Sequence, residues 1–271
     1  MVVGSIKEDL TLEKRVSLTP ESAKNIIGLG LEVCIEKNYA DHLGIRDKEY
    51  QNVGVEIKSS SNEVLSSCNL LTKVNCPTEK NIVNLKEQTI LIGMFNPSKN
   101  KSIINEFIKK KLNIFSLELL PRITRAQSMD VLSSQSNLAG YRAVIDCVAE
   151  FEKAIPMMMT AAGTVPAAKI LVIGAGVAGL QAIATAKRLG AIVSATDVRA
   201  ASKEQVESLG GKFLTVEQAE DMETSGGYAK EVTDDYKKKQ AEMIQEALKK
   251  NDIVICTALI PGKLAPRILT E

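Results

Sequence analysis

The chain has 271 residues, of which 45% are hydrophobic, so it is long enough to bury two separate cores. Its 34 lysines and arginines nearly balance its 33 acidic residues, which argues against a nucleic-acid surface, because such a surface needs clustered positive charge. The five cysteines have no metal-ligand spacing, and this usage is typical of small buried side chains in a reducing compartment.

The first half of the chain alternates strand-like and helix-like segments. We predict strands over Val2–Ile6, Glu32–Glu36, Leu70–Val74, Ile90–Phe95 and Asn113–Leu117, and helices over Pro20–Leu29, Asn62–Ser67 and Lys99–Lys110. Such alternation predicts a parallel sheet covered by helices. Since this half contains no glycine-rich phosphate loop, we interpret residues 1–131 as a Rossmann-like domain without a nucleotide of its own.

A polar stretch, residues 121–135, follows the last of these strands and leads into a predicted helix over Leu132–Phe151. It contains two arginines, an aspartate and three serines. Loops beyond strand ends are where open α/β sheets bind ligands. On spacing alone, however, an ordinary polar loop with a helix cap explains the stretch equally well. Residues 132–166 form the predicted connecting helix and linker, in which Met157, Met158 and Met159 are expected to pack between domains.

A Gly-x-Gly-x-x-Gly motif, Gly174 to Gly179, begins straight after the predicted strand Lys169–Ile173 and precedes a predicted helix over Leu180–Leu189. In this context the first glycine permits a tight turn, the second lets a pyrophosphate approach the backbone, and the third lets helix and strand pack closely. The N-terminus of the helix then attracts the phosphates. We therefore predict cofactor contacts from Gly174, Gly176, Val177 and Gly179, the alternative being a turn that binds nothing.

The next predicted strand runs from Ala191 to Thr196 and ends at Asp197. A carboxylate there suits the ribose diol of NAD and repels the 2′-phosphate of NADP, although the neighbouring Arg199 could accept such a phosphate. The uncharged run Ile170–Ala186 is interrupted by the three motif glycines, so we predict strand, turn and helix rather than a transmembrane segment.

Residues 167–271 are predicted to form a second, nucleotide-binding Rossmann-like domain. We predict helices over Ser202–Leu209 and Asp235–Lys249 and strands over Lys212–Leu214 and Asp252–Cys256. The polar segment Glu217–Thr233 carries Tyr228 beside two glycines, and we expect it to close over a bound nucleotide. Further strand and helix units would ordinarily follow Cys256, so we expect this domain to be truncated.

Several long blocks resemble the NAD-binding alpha subunit of proton-translocating NAD(P) transhydrogenase. They include Arg125–Asp130, Asn137–Ala143, Met157–Pro166, Gly174–Ala191, Gly226–Glu231 and Ala258–Gly262. The resemblance covers essentially the whole chain and extends to alanine dehydrogenases, which share the fold and the N-terminal pattern around Lys7-Glu8, Arg15 and Thr19-Pro20.

The resemblance implies that a polar loop closes on the nicotinamide end of NAD(H), with Arg122, Gln127, Asp130 and Ser133 at the matching positions. It places the acidic ribose ligand at Asp197 and the closing tyrosine at Tyr228. It further implies that NADP(H) is bound on a partner domain and that a membrane domain couples hydride transfer to proton translocation. A homodimer is expected, lying on the cytoplasmic or matrix-like face of a membrane.

Two alternatives stay open: an alanine dehydrogenase-like oxidoreductase and a non-catalytic NAD-sensing module. Oxidising an amine requires a base near the substrate, whereas hydride transfer between two nicotinamides requires none. Arg15 and Lys73 match the substrate residues of alanine dehydrogenases, but Asn96 stands where their histidine is expected. The single histidine, His42, is interpreted as a turn residue. The missing base favours the transhydrogenase.

Overall fold

A computed structural model describes residues 1–121, 123–216, 234–259 and 264–269. The chain divides into two compact units, Met1–Asp130 and Val131–Glu271, which are called unit 1 and unit 2 below. Among the residues that the structure describes, no helix is long and apolar enough to cross a membrane.

Unit 1 is built on a parallel sheet of six strands. The strands are β1 (Val2–Ser5), β2 (Glu32–Glu36), β3 (Glu56–Lys58), β4 (Leu70–Asn75), β5 (Ile90–Met94) and β6 (Asn113–Ser116). Their order across the sheet is β3-β2-β1-β4-β5-β6, so the chain moves outward from β1 first to one edge and then to the other. The helices are α1 (Pro20–Gly28), α2 (Asp47–Gln51), α3 (Ser61–Ser67), α4 (Glu79–Asn84) and α5 (Lys101–Lys109).

The helix starts and the buried strands of unit 1 follow from local chemistry. The Thr19 hydroxyl accepts a hydrogen bond from the Ser22 N–H, and the Ser22 hydroxyl accepts one from the Thr19 N–H, so α1 begins with a reciprocal cap. Leu71 of β4 and Leu91 of β5 are almost fully buried. All five predicted strands and all three predicted helices are present, within two residues at each end. The prediction missed α2, β3 and α4, which are too short to produce a clear periodic pattern.

Unit 2 opens with the long helix α6 (Val131–Glu150) and contains a parallel sheet of four strands. These are β9 (Lys169–Ile173), β10 (Ile192–Thr196), β11 (Lys212–Phe213) and β12 (Ile253–Cys256), in the order β11-β10-β9-β12. The helices are α7 (Val177–Arg188), α8 (Ser202–Ser208) and α9 (Asp234–Leu248). The two parallel sheets with their helices confirm the predicted α/β class with two Rossmann-like domains.

Strand β9 lies inside the sheet and is covered on both faces. Ile170 and Val172 belong to one apolar cluster, together with Val144 of α6 and Ile183 of α7, whereas Leu171 and Ile173 pack with Ile244 of α9. Because both faces are buried, the strand is a continuous apolar run rather than an alternating one. This central position fixes the end of β9, from which the glycine motif leaves.

An antiparallel hairpin of β7 (Met158–Thr160) and β8 (Gly163–Val165) connects α6 to this sheet. Met157, Met158 and Met159 expose 60%, 51% and 73% of their surface. Their expected burial between domains is therefore wrong for this structure: the hairpin presents the methionines outward, because successive residues of a two-stranded ribbon have no second layer to pack against.

Candidate dinucleotide-binding site

The glycine motif forms the turn between β9 and α7, at the carboxyl end of the sheet. Gly174 has a φ of +95°, a conformation that L side chains rarely adopt, and its N–H donates to the Thr196 carbonyl at 2.8 Å. A side chain at Gly174 would also meet the Ala258 nitrogen at 2.9 Å. The first glycine is therefore required by both the backbone angle and the neighbouring strand.

The other two motif glycines have different surroundings. A Cβ at Gly179 would lie 1.8 Å from the Gly174 carbonyl oxygen, so α7 packs against the turn with no room for a side chain. At Gly176, the N-cap of α7, an added Cβ would have only an Arg199 guanidinium nitrogen within 4 Å, at 3.8 Å. Gly176 thus leaves space above the first turn of α7, where helix N–H groups favour an anion.

Asp197 follows β10 directly and sits beside this turn. Its Oδ2 accepts hydrogen bonds from the Ala175 N–H at 2.7 Å and from Arg199 Nη2 at 2.8 Å. Its Oδ1 accepts from the Arg199 N–H and from Arg199 Nε, both at 2.9 Å. The carboxylate therefore bridges the glycine turn and the start of the next loop.

The charge of Asp197 is fixed by these contacts. Burial by itself would raise the pKa of this carboxyl, but the hydrogen bonds from Arg199 and Ala175, together with the Arg199 charge, outweigh burial and hold the pKa below its ordinary value. Asp197 is thus an ionised acceptor at neutral pH, and Arg199 already takes part of its hydrogen-bonding capacity.

Thr257, which follows β12 directly, is a site residue that the sequence analysis did not single out. Its Oγ1 donates to the Gly174 carbonyl at 2.7 Å and lies 2.9 Å from the position of a Cβ on Gly179. Its N–H donates to the Ile173 carbonyl at 2.8 Å. A hydroxyl residue at the end of a predicted strand was the available signal, but only the pairing of β12 with β9 brings it to the glycine turn.

The residues predicted to hold the nicotinamide end are distributed over both units. Gln127 lies in the 3-10 helix Thr124–Met129 of unit 1, where it is exposed, and Asp130 ends that helix with its N–H donating to the Gln127 carbonyl at 3.2 Å. Ser133 lies in the first turn of α6 in unit 2 and is half-buried. Arg122 and Tyr228 lie outside the described residues, as does the whole segment 217–233.

A second polar cluster lies in unit 1, at the carboxyl ends of β1 and β4. Lys73 is buried and its Nζ contacts Glu8 Oε2 at 3.1 Å, while Arg15 pairs with Glu13 through Nη2–Oε2 at 2.6 Å and Nε–Oε1 at 2.8 Å. The hydrogen bonds from Arg15 hold the pKa of Glu13 below its ordinary value. Both cations thus have carboxylate partners within the unit.

The remaining candidates of unit 1 are also held by neighbours. His42 Nε2 lies 2.7 Å from the Lys14 carbonyl, in keeping with a turn residue. Asn96, which has a φ of +46°, donates its N–H to Glu118 Oε1 at 2.5 Å. Asparagine tolerates this left-handed conformation better than most residues.

A cavity of about 300 Å³ lies in unit 2 at the amino end of the strands, away from the glycine turn. It is lined by the starts of β9, β10 and β11 and by the last turns of α9, including Lys169, Ile192, Lys212 and Met243. Because nucleotides bind at the carboxyl ends of such sheets, this cavity is not the candidate site.

Unit 2 has the arrangement of a Rossmann-like nucleotide domain, with a glycine turn leading from a central parallel strand into a helix and an acidic residue after the next strand. The model of the alanine dehydrogenase/PNT N-terminal domain matches residues 4–139, and that of the C-terminal domain matches residues 143–271. The chain belongs to the alanine dehydrogenase/PNT family.

Individual relatives refine this assignment. The chain is 51% identical to an NAD(P) transhydrogenase subunit alpha of Rhodospirillum rubrum, over 100% of this chain and 72% of that protein. The transhydrogenase structure from Sinorhizobium meliloti superimposes with a TM-score of 0.86 at 46% identity, over 98% of this chain and 72% of that one. An L-alanine dehydrogenase structure has a TM-score of 0.81 at 21% identity, over 100% and 69% of the two chains, and so shares the fold. The resemblance to transhydrogenase alpha subunits is confirmed.

Proposed function

We propose that this chain is the NAD(H)-binding component of a proton-translocating NAD(P) transhydrogenase. The observation that carries the proposal is the glycine turn with Asp197 beside it, found in a chain that is about half identical to a transhydrogenase alpha subunit. The space above Gly176, next to the first turn of α7, suits a pyrophosphate.

In the proposed mechanism the chain positions one nicotinamide ring, which exchanges a hydride with NADP(H) on a partner domain. Gly174, Gly176, Val177 and Gly179 hold the pyrophosphate, and Asp197 accepts hydrogen bonds from the ribose hydroxyls. Arg122, Gln127, Asp130 and Ser133 orient the ring, with Tyr228 closing over it. No proton leaves a heteroatom during hydride transfer between two nicotinamides, so the site needs orientation and exclusion of water rather than a general base.

The proposal includes three partners: an NADP(H)-binding domain, a membrane domain that translocates protons, and a second copy of this chain. The chain would then act as a peripheral component on the cytoplasmic or matrix-like face of the membrane. The exposed hairpin supports a protein contact in unit 2, since Met157, Met158 and Met159 form a contiguous apolar strip there.

The alternative of an alanine dehydrogenase-like enzyme is less well supported. An amino-acid substrate would need Arg15 and Lys73 for its carboxylate, but Glu13 and Glu8 already pair with these cations. Asn96 cannot act as the base, because an amide has no titratable proton in the required range. A third possibility, a non-catalytic NAD-sensing module, would bind NAD(H) without transferring hydride.

One experiment separates the three functions. The protein is assembled with an NADP(H)-binding partner subunit of a related transhydrogenase, and hydride transfer from NADPH to an NAD analogue is followed by absorbance. In parallel, reduction of NAD is measured with alanine as the substrate. Transfer between nucleotides without alanine oxidation supports the proposal. Alanine oxidation alone, or NADH binding without any transfer, would replace it with one of the alternatives.

A further inference from the structure

Helix α6 touches the phosphate-binding helix α7 through backbone rather than side chains. The contact is at Gly140, which is fully buried in α6. A Cβ at Gly140 would lie 2.0 Å from the Ala178 carbonyl oxygen, 2.8 Å from its carbonyl carbon and 3.0 Å from its Cα. No flexible side chain can yield at this point, because all three atoms belong to the backbone of the first turn of α7.

The first turn of α7 is therefore confined from two sides. On one side Gly179 packs on the glycine turn, with 1.8 Å between an added Cβ and the Gly174 carbonyl oxygen, and on the other side Gly140 packs on Ala178. Val144, one turn after Gly140 on the same face of α6, is fully buried in a cluster with Ala175 and Ala182. The glycine turn, α7 and α6 thus form a stack in which no side chain takes up slack.

The same face of α6 carries Ser133. Residues seven apart in an α-helix differ by nearly two full turns, so Ser133 and Gly140 lie on one face, about 10.5 Å apart along the axis. The seat of Gly140 on α7 consequently sets how far Ser133 lies from the phosphate-binding turn, and in which direction.

We propose that Gly140 is a positioning residue that fixes the spacing between the pyrophosphate-binding turn and the nicotinamide-side end of α6. The inference rests on the proposed function, since it assumes that Ser133 orients the nicotinamide. In this arrangement the closeness of two helix backbones sets the distance between the two halves of a dinucleotide site.

The test is Gly140→Ala in the protein assembled with its NADPH-loaded partner subunit. To bring the contact from 2.0 Å to even 3.0 Å, α6 must move by about 1 Å, because α7 is held from behind by Gly179. A displacement of that size at a reacting centre can lower a rate about a hundredfold. We expect single-turnover hydride transfer at saturating NADH to fall about ten- to a hundredfold. The dissociation constant of ADP-ribose, which has no nicotinamide, should stay within about twofold of wild type.

Two controls separate positioning from stability. Val144→Ala removes buried methyl groups from the same helix face without wedging the helices apart, so it should lower the melting temperature but leave hydride transfer near the wild-type rate. Gly28→Ala, at the end of α1 with nothing within 4 Å of the added Cβ, should raise stability slightly and leave transfer unchanged. If Gly140→Ala does not fold, Ala143→Val is a milder wedge on the partly buried side of α6, and the same split between rate and ADP-ribose affinity is expected.

The outcomes are distinct. Wild-type transfer in the folded wedge variant, an equal loss of transfer in Val144→Ala, or a matching loss of ADP-ribose affinity would each overturn the positioning role. Absence of transfer in the wild-type assembly would instead overturn the proposed function, and the inference with it.

Discussion

Arg199 occupies the carboxylate that the ribose is expected to use, and removing its side chain should therefore tighten nucleoside binding. In the structure Arg199 Nε and Nη2 donate to the two oxygens of Asp197 at 2.9 and 2.8 Å. The backbone N–H groups of Arg199 and Ala175 supply two further bonds. A carboxylate has about four acceptor sites, so a ribose diol has to replace the guanidinium rather than add to it.

The magnitude follows from this exchange. A hydrogen bond to a charged group contributes about 1.5–3 kcal/mol net. In wild type the bonds gained from the diol are offset by those lost from Arg199, whereas in Arg199→Ala they are gained outright. Recovering even one bond corresponds to about ten- to a hundredfold tighter binding. The unliganded variant should be less stable, by up to about 3–5 kcal/mol, because a buried charge has lost its partner.

The assay uses adenosine as the probe, because adenosine has no phosphate and so is insensitive to the lost positive charge. Binding is measured by displacement of NADH fluorescence in wild type, Arg199→Ala and the control Arg188→Ala, which removes a charge from the far end of α7. 2′,3′-Dideoxyadenosine lacks both hydroxyls and should show no gain. Equal adenosine affinity in wild type and Arg199→Ala, or an equal gain with the dideoxynucleoside, would refute the exchange.

Four further results are expected. Gly179→Ala should abolish NADH binding in a titration and lower the melting temperature, since its Cβ would lie 1.8 Å from the Gly174 oxygen; Gly28→Ala serves as the tolerated control. Thr257→Val should weaken NADH binding by roughly three- to tenfold through loss of a bond of about 1 kcal/mol to the glycine turn, whereas Thr257→Ser should bind like wild type. The stability difference between wild type and Asp197→Asn in urea should be constant above the ordinary aspartate pKa of about 3.9 and should shrink as the pH falls through the lowered native pKa; a difference that grows in acid contradicts the assignment. Met159→Asp should shift the sedimentation coefficient toward the monomer if the hairpin forms the proposed homodimer, and an unchanged coefficient excludes that surface.

The sequence was most informative where local backbone geometry leaves little choice. The turn from β9 to α7 requires a positive φ at Gly174 and no side chain at Gly179, and the motif carries both requirements in its spacing. Asp197 could be found by counting to the end of the next apolar run. The alternation of strands and helices likewise predicted parallel sheets, because a parallel pair needs a crossover between its strands. Short elements such as α2 and β3 were missed, since three to five residues contain no full period.

The partners of these residues were decided by tertiary structure alone. Thr257 lies 83 residues after Gly174 in the chain, and it reaches the glycine turn because β12 pairs with β9 rather than with β11. Arg199 turns back onto Asp197, and the sequence by itself allowed the opposite role of accepting a 2′-phosphate. Gly140 touches Ala178 only because two helices cross at that residue. A sequence determines backbone freedom and which face of each element is apolar; which atoms then meet depends on strand order and on how the helix layer packs, and these are properties of the whole folded unit.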